Sequence, residues 1–238
     1  MAKLTPADMM AVCLARLLQD KQTVFHGLSS PLPMVAILLA KELHAPNLVY
    51  LNISGSVNPR PAKLPKSTVG HELLKGTRSH FPLTDIFDLC ARGKLDVAFL
   101  SGAQIDRFGQ VNNSVIGPYN RPKVRLPGGA GSAVIIPTAK SSILWRTKHD
   151  RRTFVEKCDF VTSTGNVRYV VTPLAVFKKT QGRLVLDSIH PYSSLDEVKA
   201  NTGFALEYDE VRMTPEPDDA EWLALGKVDP ARVRDIEF

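Results

Sequence analysis

A stretch rich in glycine, proline and asparagine, residues 101–133, is the part of this sequence best suited to bind a ligand. It lies between two short apolar runs, residues 95–100 and 133–137, that have the length and composition of buried strands. A loop of this length inside a compact domain is either functional or disordered. Uncharged polar residues interspersed with glycine argue against disorder, so we expect a site here.

Within this stretch, three glycines in four positions allow the backbone to approach a ligand closely. Gly128, Gly129, Ala130 and Gly131 are expected to point N–H groups at a carbonyl oxygen or an oxyanion. A tight turn between strands explains the same pattern equally well, and the motif alone does not separate the two. The run lacks the Lys-Ser/Thr of a P-loop and the spacing of a dinucleotide fingerprint.

Amide side chains beside the glycines form a second candidate group. Gln104 and Asp106 follow Gly102, and the adjacent pair Asn112 and Asn113 follows Gly109. Asp and Asn near glycine usually build turns. Two adjacent asparagines are more than a turn requires, so we expect Asn112 or Asn113 to face a ligand.

Other chemistries have little support. None of the histidines has metal-ligand spacing with another, no Cys pair suggests zinc, and there is no G-x-S-x-G nucleophile elbow. His26 ends a predicted strand and is expected to line a cleft, whereas His149 lies in a basic run and is expected to be solvated. The cysteines sit in apolar contexts and are expected to be small buried hydrophobes: Cys13, Cys90 and Cys158.

The chain has 238 residues, of which 44% are hydrophobic and 23% charged, as expected for a globular protein with a core. The longest apolar run is too short to span a bilayer, and the N-terminus lacks the apolar segment of a signal peptide. These features predict a cytoplasmic protein that does not interact with membranes.

The net charge is +6, and basic residues cluster after position 140. Nucleic acid, a phosphate-rich cofactor and a solvated basic face are three explanations of such a cluster. Aromatic residues are only 7% of the chain and do not interleave with the basic run, and no helix-turn-helix or RNA-binding signature is present. We therefore expect no nucleic-acid partner.

Helices and strands are predicted to alternate in the first half of the chain. After a helix capped by Thr5, a strand at residues 23–26 leads through a Gly/Ser turn into a helix at 32–43, and a second strand covers 48–53. Ligands of open α/β sheets gather at the carboxyl ends of strands. Ser29, Ser30 and Ser54, which follow these strands, are therefore candidate pocket residues.

Strands dominate the second half of the predicted fold. After a helix at 82–93, the predicted strands cover residues 95–100, 133–136, 142–145, 169–171, 174–178, 183–186 and 204–211. A short helix begins after Ser194, and residues 214–238 form a Pro-containing tail with one helix near 220–225. The sequence thus predicts one α/β domain over residues 1–238, with an open, mostly parallel sheet flanked by helices and added antiparallel strands in its C-terminal part.

Three strings carry a family resemblance: G-A-Q-I-D-R-F-G-Q-V-N-N-S-V-I-G at 102–117, R-P-K-V-R-L-P-G-G-A-G at 121–131, and K-H-D-R-R-T-F-V-E-K-C-D-F-V-T-S-T-G at 148–165. In order and spacing they resemble the β subunit of class I CoA-transferases of the glutaconate CoA-transferase type. The resemblance implies a CoA-transferase-like fold and a homologous α subunit, as a heterodimer or an α2β2 heterotetramer. It also implies an acyl-CoA site between the subunits, with coenzyme A entering as a thioester substrate and no covalently bound cofactor.

The chain departs from the family at one position. Family transferases carry a catalytic glutamate at the end of the strand that corresponds to residues 48–53, in a Glu-x-Gly context, whereas residues 53–55 here read Ile-Ser-Gly. Ile53 cannot form an acyl or thioester intermediate. In this respect the chain is similar to relatives that do not transfer CoA, namely a steroid ring-opening CoA hydrolase and a glutaconyl-type CoA decarboxylase.

The resemblance therefore implies a β subunit that binds an acyl-CoA and performs hydrolysis, ring opening or decarboxylation. Two alternatives remain: CoA transfer through a carboxylate elsewhere, or a non-catalytic acyl-CoA-binding subunit. Residues 128–131 would hold the thioester oxygen. The expected acyl-pocket residues are Ser29, Ser30, Ser54, Gln104, Asn112 and Asn113. The expected partners of the CoA phosphates are Arg146, Lys148, Arg151 and Arg152, although a contact with the partner subunit explains them equally well.

Overall fold

The computed structural model describes residues 3–238, which form two compact units. The first unit contains the chain up to Phe99 together with Glu216–Phe238, and the second contains Leu100–Pro215. The chain therefore leaves the first unit after Phe99 and returns to it at Glu216.

The first unit has a five-stranded sheet in the order β5-β1-β2-β3-β4. Its three longer strands, β5, β1 and β2, pair in parallel, and β3 and β4 add antiparallel strands at one edge. The elements are α1 (Pro6–Arg16), β1 (Thr23–His26), α2 (Pro31–Leu43), β2 (Val49–Asn52), β3 (Ser56–Val57), β4 (Ser79–His80), α3 (Leu83–Ala91) and β5 (Val97–Leu100). The strands predicted at 23–26, 48–53 and 95–100 are thus present.

Local sequence explains where the first helices begin. Thr5 accepts a hydrogen bond from the Asp8 N–H and donates its own N–H to the Asp8 carboxylate, which closes the predicted capping box. Pro6 and Pro31 each occupy a first helical position, where the missing N–H costs nothing. Because α2 is apolar along most of its length, nine of its residues are buried.

The C-terminal segment returns to the first unit, where α6 (Asp219–Val228) packs on α2 and a short 3-10 helix (Val233–Asp235) packs on α1 and α2. Arg16 makes a bidentate pair with Glu221, at 2.7 and 2.6 Å. Arg234, almost fully buried, bonds both Asp8 and Asp229 at 2.6 and 2.9 Å. A buried guanidinium is tolerated only when its donors are paired, and these two carboxylates pair it.

The second unit contains a four-stranded set in the order β14-β13-β12-β10, with β10 and β12 parallel and the others antiparallel. A three-stranded set (β11-β6-β7) and a two-stranded set (β8-β9) lie in the same unit. The elements are β6 (Gln104–Asp106), β7 (Val111–Asn112), β8 (Val115–Ile116), β9 (Val124–Arg125), α4 (Ser132–Thr138), β10 (Ser141–Trp145), β11 (Phe154–Val155), β12 (Val167–Val171), β13 (Ala175–Thr180), β14 (Arg183–Ile189) and α5 (Leu195–Asn201).

Two strand predictions are wrong. Residues 133–136 form the first turns of α4, because short apolar runs suit helices as well as strands; Ile135 and Ile136 are buried while Val134 is 42% exposed. Residues 204–211 make only an isolated bridge at Glu207, since Tyr208 and Val211 point to solvent and do not alternate as a half-buried strand would.

The glycine-rich stretch is also more ordered than a single long loop. Residues 101–133 contain four short strands, β6 to β9, which pair as two antiparallel ribbons. Asp106 builds a turn, as Asp near glycine usually does: its carboxylate accepts the N–H groups of Phe108 and Gln110, each at 3.0 Å. Arg107 pairs with Glu156.

The predicted fold class is confirmed: α/β, with an open, mostly parallel sheet flanked by helices and antiparallel strands in the C-terminal part. The predicted burial of the cysteines is confirmed as well. Among residues 3–238, no helix combines the length and the apolar composition needed to cross a bilayer.

Candidate functional site

Ile53 lies in the tight turn that joins β2 to β3. The Gly55 N–H donates to the Asn52 carbonyl at 3.0 Å, so Ile53 and Ser54 are the two central residues of this turn. Gly55 has φ +83°, and a Cβ there would lie 2.3 Å from the Phe81 carbonyl oxygen. Glycine is therefore required at position 55, while the half-buried Ile53 side chain occupies the position before Ser54.

Thr68 connects the two strand-end turns that carry the predicted serines. Its hydroxyl donates to the Gly27 carbonyl at 3.2 Å and accepts the Ser30 N–H at 3.3 Å. Its carbonyl accepts the Ser54 hydroxyl at 3.2 Å. Thr68 is 1% exposed, so this link is shielded from water. Sequence reasoning missed Thr68, because it lies in a loop with no motif and bonds residues up to 41 positions away.

The structure gives Ser29 and Ser30 different roles in the turn before α2. Ser29 is exposed and has φ +43°, a backbone conformation that is strained for a residue with a Cβ. Ser30 is 3% exposed, and its hydroxyl donates to the Leu28 carbonyl at 2.7 Å. Ser29 can therefore meet a ligand, whereas the Ser30 hydroxyl is already used to shape the turn.

His26, expected to line a cleft, is instead fully buried at the end of β1. Its Nδ1 lies 3.1 Å from the Gly27 carbonyl and its Nε2 lies 2.6 Å from the Tyr50 hydroxyl. Since the carbonyl can only accept, Nδ1 carries the proton and Nε2 accepts from Tyr50. Burial lowers the pKa of His26 to about 4, so the ring is neutral near neutral pH.

In the second unit, Gln104 and Asn112 face each other across β6 and β7. The Asn112 amide donates to Gln104 Oε1 and to the Val115 carbonyl, both at 2.6 Å, and its oxygen accepts the Ser114 N–H at 2.9 Å. Gln104 Nε2 donates to Asp159 Oδ2 at 3.2 Å. Asn112 is 0% exposed, and a ligand would have to break these bonds to reach it.

Asn113 forms hydrogen bonds with the segments around the glycine run. Its Oδ1 accepts the Ala103 N–H at 2.9 Å, and its Nδ2 donates to the Ser101 carbonyl at 3.1 Å. Its own N–H donates to Thr162 Oγ1, and its carbonyl accepts the Gly128 N–H, both at 2.8 Å. The two asparagines therefore hold this region together, which accounts for the pair without direct ligand contact.

The glycine run presents three N–H groups that remain available. The Gly128 N–H is used by Asn113, but within residues 3–238 the N–H groups of Gly129, Ala130 and Gly131 donate to no protein acceptor. These residues are half-buried or exposed, so a ligand can reach them. The Gly129 carbonyl, by contrast, accepts the hydroxyl and N–H of Ser132 at 2.5 and 2.8 Å, which fixes the orientation of its peptide.

Close packing explains why position 129 is glycine. A Cβ there would lie 2.8 Å from Thr162 Cγ2 and 2.9 Å from the Cβ of Ala133 in α4. Gly128 has φ +93° and Ala130 has φ +42°, so the run bends through the left-handed region twice. The tight-turn explanation is therefore correct for this run, and the same turn leaves three N–H groups free; their role toward a ligand stays a prediction.

The basic residues follow β10. Arg146 is half-buried, and Lys148, Arg151 and Arg152 are exposed, with the Arg151 Nε donating to the Ala200 carbonyl at 2.9 Å. Their role toward CoA phosphates stays a prediction. His149, expected to be solvated, is 8% exposed and lies between Thr172 and Thr202 at 2.9 and 3.0 Å. Within the described chain no cluster of His, Cys, Asp and Glu has the arrangement of a metal site.

Comparison with known proteins agrees with this architecture. The family model described as coenzyme A transferase matches residues 7–201. The chain is 34% identical to the B component of the 3-oxoadipate CoA-transferase of Pseudomonas knackmussii, over 92% of this chain and 90% of that protein. It is 29% identical to the B component of the glutaconate CoA-transferase of Acidaminococcus fermentans, over 96% and 94% respectively.

The chain is also similar to a solved structure of an enzyme that is not named as a transferase. The crystal structure of the decarboxylase AibA/AibB contains a chain that superimposes with a TM-score of 0.93 at 30% identity, covering 99% of both chains. The match thus extends over nearly the whole fold, beyond the strings that carried the resemblance. The chain belongs to the coenzyme A transferase family.

Proposed function

We propose that this chain is the β subunit of a heteromeric enzyme that acts on an acyl-CoA thioester by hydrolysis, ring opening or decarboxylation. The observation that carries the proposal is Ile53. The turn after β2 holds a half-buried aliphatic side chain where the family resemblance expects a glutamate nucleophile. Without a carboxylate there, this chain supplies no group at that turn to take up CoA as a glutamyl thioester.

The free N–H groups of the glycine run support a reaction that places negative charge on the thioester oxygen. Hydrolysis of a thioester and decarboxylation of an unsaturated acyl-CoA both place negative charge on the thioester oxygen. Fixed donors stabilise such charge, typically by about 3 kcal/mol each in acyl chemistry. The N–H groups of Gly129, Ala130 and Gly131 suit this role, and it requires no nucleophile from this chain.

The relatives support a second subunit. Two of the proteins to which this chain is similar are named as one of the subunits of a CoA-transferase, and the decarboxylase structure is named for two components. We infer a homologous α subunit as the partner of this chain. The general base or acid of the reaction is then expected on that subunit.

The test is a trapping experiment with the two-subunit complex. The complex is incubated with acyl-CoA esters and then with borohydride or hydroxylamine, and the β chain is analysed by intact mass. We expect no mass change on this chain, together with release of free CoA or of CO2. A trapped adduct on a glutamate of this chain would overturn the proposal.

CoA transfer is the second candidate, and the 34% identity to a component of a 3-oxoadipate CoA-transferase favours it. In this case a carboxylate elsewhere in the complex would carry CoA. CoA exchange between two carboxylic acids, with ping-pong kinetics, would establish it. The absence of exchange across a broad panel of acids, in a complex that releases CoA or CO2, would exclude it.

A further inference from the structure

An open basic pocket lies in the first unit, at the amino end of β2. Its volume is about 870 Å³, within the range of small-molecule sites. The residues that line it are Leu38, Lys41, Glu42, Pro46, Asn47, Leu48, Val49, Asn58, Pro59, Arg60, Pro61, Leu64, Arg78, Lys227 and Val228. Four of these side chains are cationic and one is acidic.

Strand pairing brings these residues to one place. β3 runs antiparallel to β2, so the chain returns to the amino end of β2, where the Asn58 N–H bonds the Tyr50 carbonyl at 2.8 Å. The Arg60 N–H then bonds the Lys75 carbonyl, and the Arg78 N–H bonds the Val57 carbonyl, both at 2.9 Å. Two arginines 18 positions apart are thereby anchored at the same wall of the pocket.

Lys41 lines the pocket, and protein oxygens hold its ammonium group in place. Its ammonium donates to the Leu48 carbonyl, to Asn58 Oδ1 at 3.1 Å and to the Pro46 carbonyl at 3.5 Å. Burial, reinforced by the charges of Arg78 and Arg60, lowers the pKa of Lys41. Lys41, Arg60 and Arg78 thus place three cationic side chains around one pocket.

The acidic side chains nearby do not neutralise the arginines. Glu42 is paired with Lys227. Within residues 3–238, neither Arg60 nor Arg78 forms an ion pair with a carboxylate, and both side chains are exposed. Two guanidinium groups free to turn into one pocket match the oxygens of a phosphate or diphosphate, which each can bind with two parallel hydrogen bonds.

We propose that this pocket is a second ligand site, which binds a diphosphate-bearing small molecule between Arg60 and Arg78 over the charge of Lys41. The proline and leucine walls leave room for an organic body attached to the diphosphate. The pocket lies at the opposite end of β2 from Ile53 and Ser54, and a four-residue strand is about 13 Å long. It is therefore separate from the turn that carries Ile53, and the proposal does not depend on the proposed function.

The experiment is titration calorimetry of the full chain with inorganic pyrophosphate at constant ionic strength. We expect saturable one-to-one binding that Arg60→Ala or Arg78→Ala weakens about tenfold or more. Lys63→Ala and Lys66→Ala are matched controls, because they remove the same charge from the same loop at exposed positions that do not line the pocket. Unchanged binding in these controls is expected.

Two further measurements identify which diphosphate-bearing ligand the pocket binds. ADP in place of pyrophosphate measures the contribution of an organic body, and tighter binding of ADP would show that the apolar walls contribute. Steady-state kinetics of Arg60→Ala in the complex test coenzyme A itself, which also carries a diphosphate. An unchanged KM for acyl-CoA is expected, whereas an increase of about tenfold would show that the pocket serves CoA itself and would overturn the proposal of a second ligand site. The absence of saturable pyrophosphate binding, or equal weakening by Lys63→Ala, would overturn the proposal.

Discussion

In the turn that carries Ile53 and Gly55, the backbone conformation requires glycine at position 55 but does not restrict the residue type at position 53. Gly55 is required by its φ of +83° and by the Phe81 carbonyl that fills the space of a Cβ. No such constraint applies to Ile53, which is half-buried at a central turn position that most residue types can adopt. The backbone of the turn therefore tolerates a carboxylate at position 53, and the residue found there is aliphatic.

Restoring the carboxylate tests the role of this position. In the two-subunit complex, Ile53→Glu is expected to form an adduct with acyl-CoA that borohydride traps on this chain, because a glutamate at this turn would be a nucleophile. Ile53→Gln is the matched control, with a similar shape and no charge. Intact-mass analysis and a CoA-exchange assay give the readout. If a folded Ile53→Glu complex yields neither an adduct nor exchange, residue 53 does not decide between transfer and other chemistry.

Thr68 is predicted to act as a positioning residue for the two strand-end turns. Thr68→Val keeps the shape but removes the hydroxyl, which leaves the Gly27 carbonyl and the Ser30 N–H without their partner. We expect the free energy of unfolding to fall by about 1–3 kcal/mol, measured by urea denaturation. We also expect kcat/KM for the acyl-CoA to fall by about tenfold.

Thr68→Ser is the control for this variant, since it retains the hydroxyl and is expected to retain most of kcat/KM. A loss of stability in Thr68→Val without any change in kcat/KM would show that Thr68 serves only the fold. Equal losses in both variants would point to the methyl group rather than to the hydrogen bonds.

At the scale of elements, the glycine run depends on the helix that follows it. Gly129 packs against Thr162 and against Ala133 of α4, and the Ser132 side chain bonds the Gly129 carbonyl. The direction of the three free N–H groups is therefore set by α4 and by the segment that carries Thr162.

Gly129→Ala is predicted to lower turnover by about tenfold or more, because its Cβ must displace the Thr162 methyl group or α4 and thereby shift the N–H donors. Gly226→Ala in α6 is the matched control. A Cβ at that position meets no atom within 4 Å, and alanine is expected to stabilise the helix by about 1 kcal/mol without changing turnover. Wild-type turnover in Gly129→Ala would contradict the role assigned to the run.

At the scale of the whole molecule, buried histidines link stability to pH. Burial lowers the pKa of His26, His149 and His190 to about 4, with both units contributing. His149 and His190 are joined through Thr172, whose hydroxyl bonds His149 and whose carbonyl accepts from His190. The Nδ1 of His190 lies 3.1 Å from the Thr214 hydroxyl, so each ring is held by two partners.

The direction of the pH effect follows from the lowered pKa values. In the unfolded chain these groups titrate near pH 6.5, so between about pH 6.5 and 4 the unfolded state binds more protons and stability rises with pH. The contribution is fully present above pH 6.5 and is lost as the pH falls toward 4. We expect the free energy of unfolding, measured in urea at pH 7.5, 6 and 5, to decrease steadily.

A histidine variant provides the control. His149→Gln can keep bonds to Thr172 and Thr202 but does not titrate, so its stability is expected to depend less steeply on pH. A pH-independent free energy of unfolding in the wild-type chain, or the same slope in His149→Gln, would contradict the assignment.

Much of the fold follows from local sequence. The Thr5–Asp8 capping box, the proline that opens α2 and the apolar runs of β1 and β2 specify their elements through neighbours within a few positions. The glycine run and the asparagine pair also mark their region as unusual from composition alone. These features, together with the three strings of family resemblance, were sufficient for the fold class and the family.

The remaining properties depend on atoms far apart in the chain. His149 lies in a basic run, yet Thr172 and Thr202, 23 and 53 positions away, bury it. Asn112 and Asn113 carry the polarity expected of ligand contacts, yet their amides are satisfied within the protein, by Gln104, Ser114 and Val115 for Asn112 and by Ser101 and Ala103 for Asn113. The amino-acid sequence thus specifies which polar groups are present, whereas the tertiary structure decides which of them are already hydrogen-bonded. Within residues 3–238 it leaves the N–H groups of Gly129, Ala130 and Gly131 free, and an N–H that already donates inside the protein is not available to a ligand.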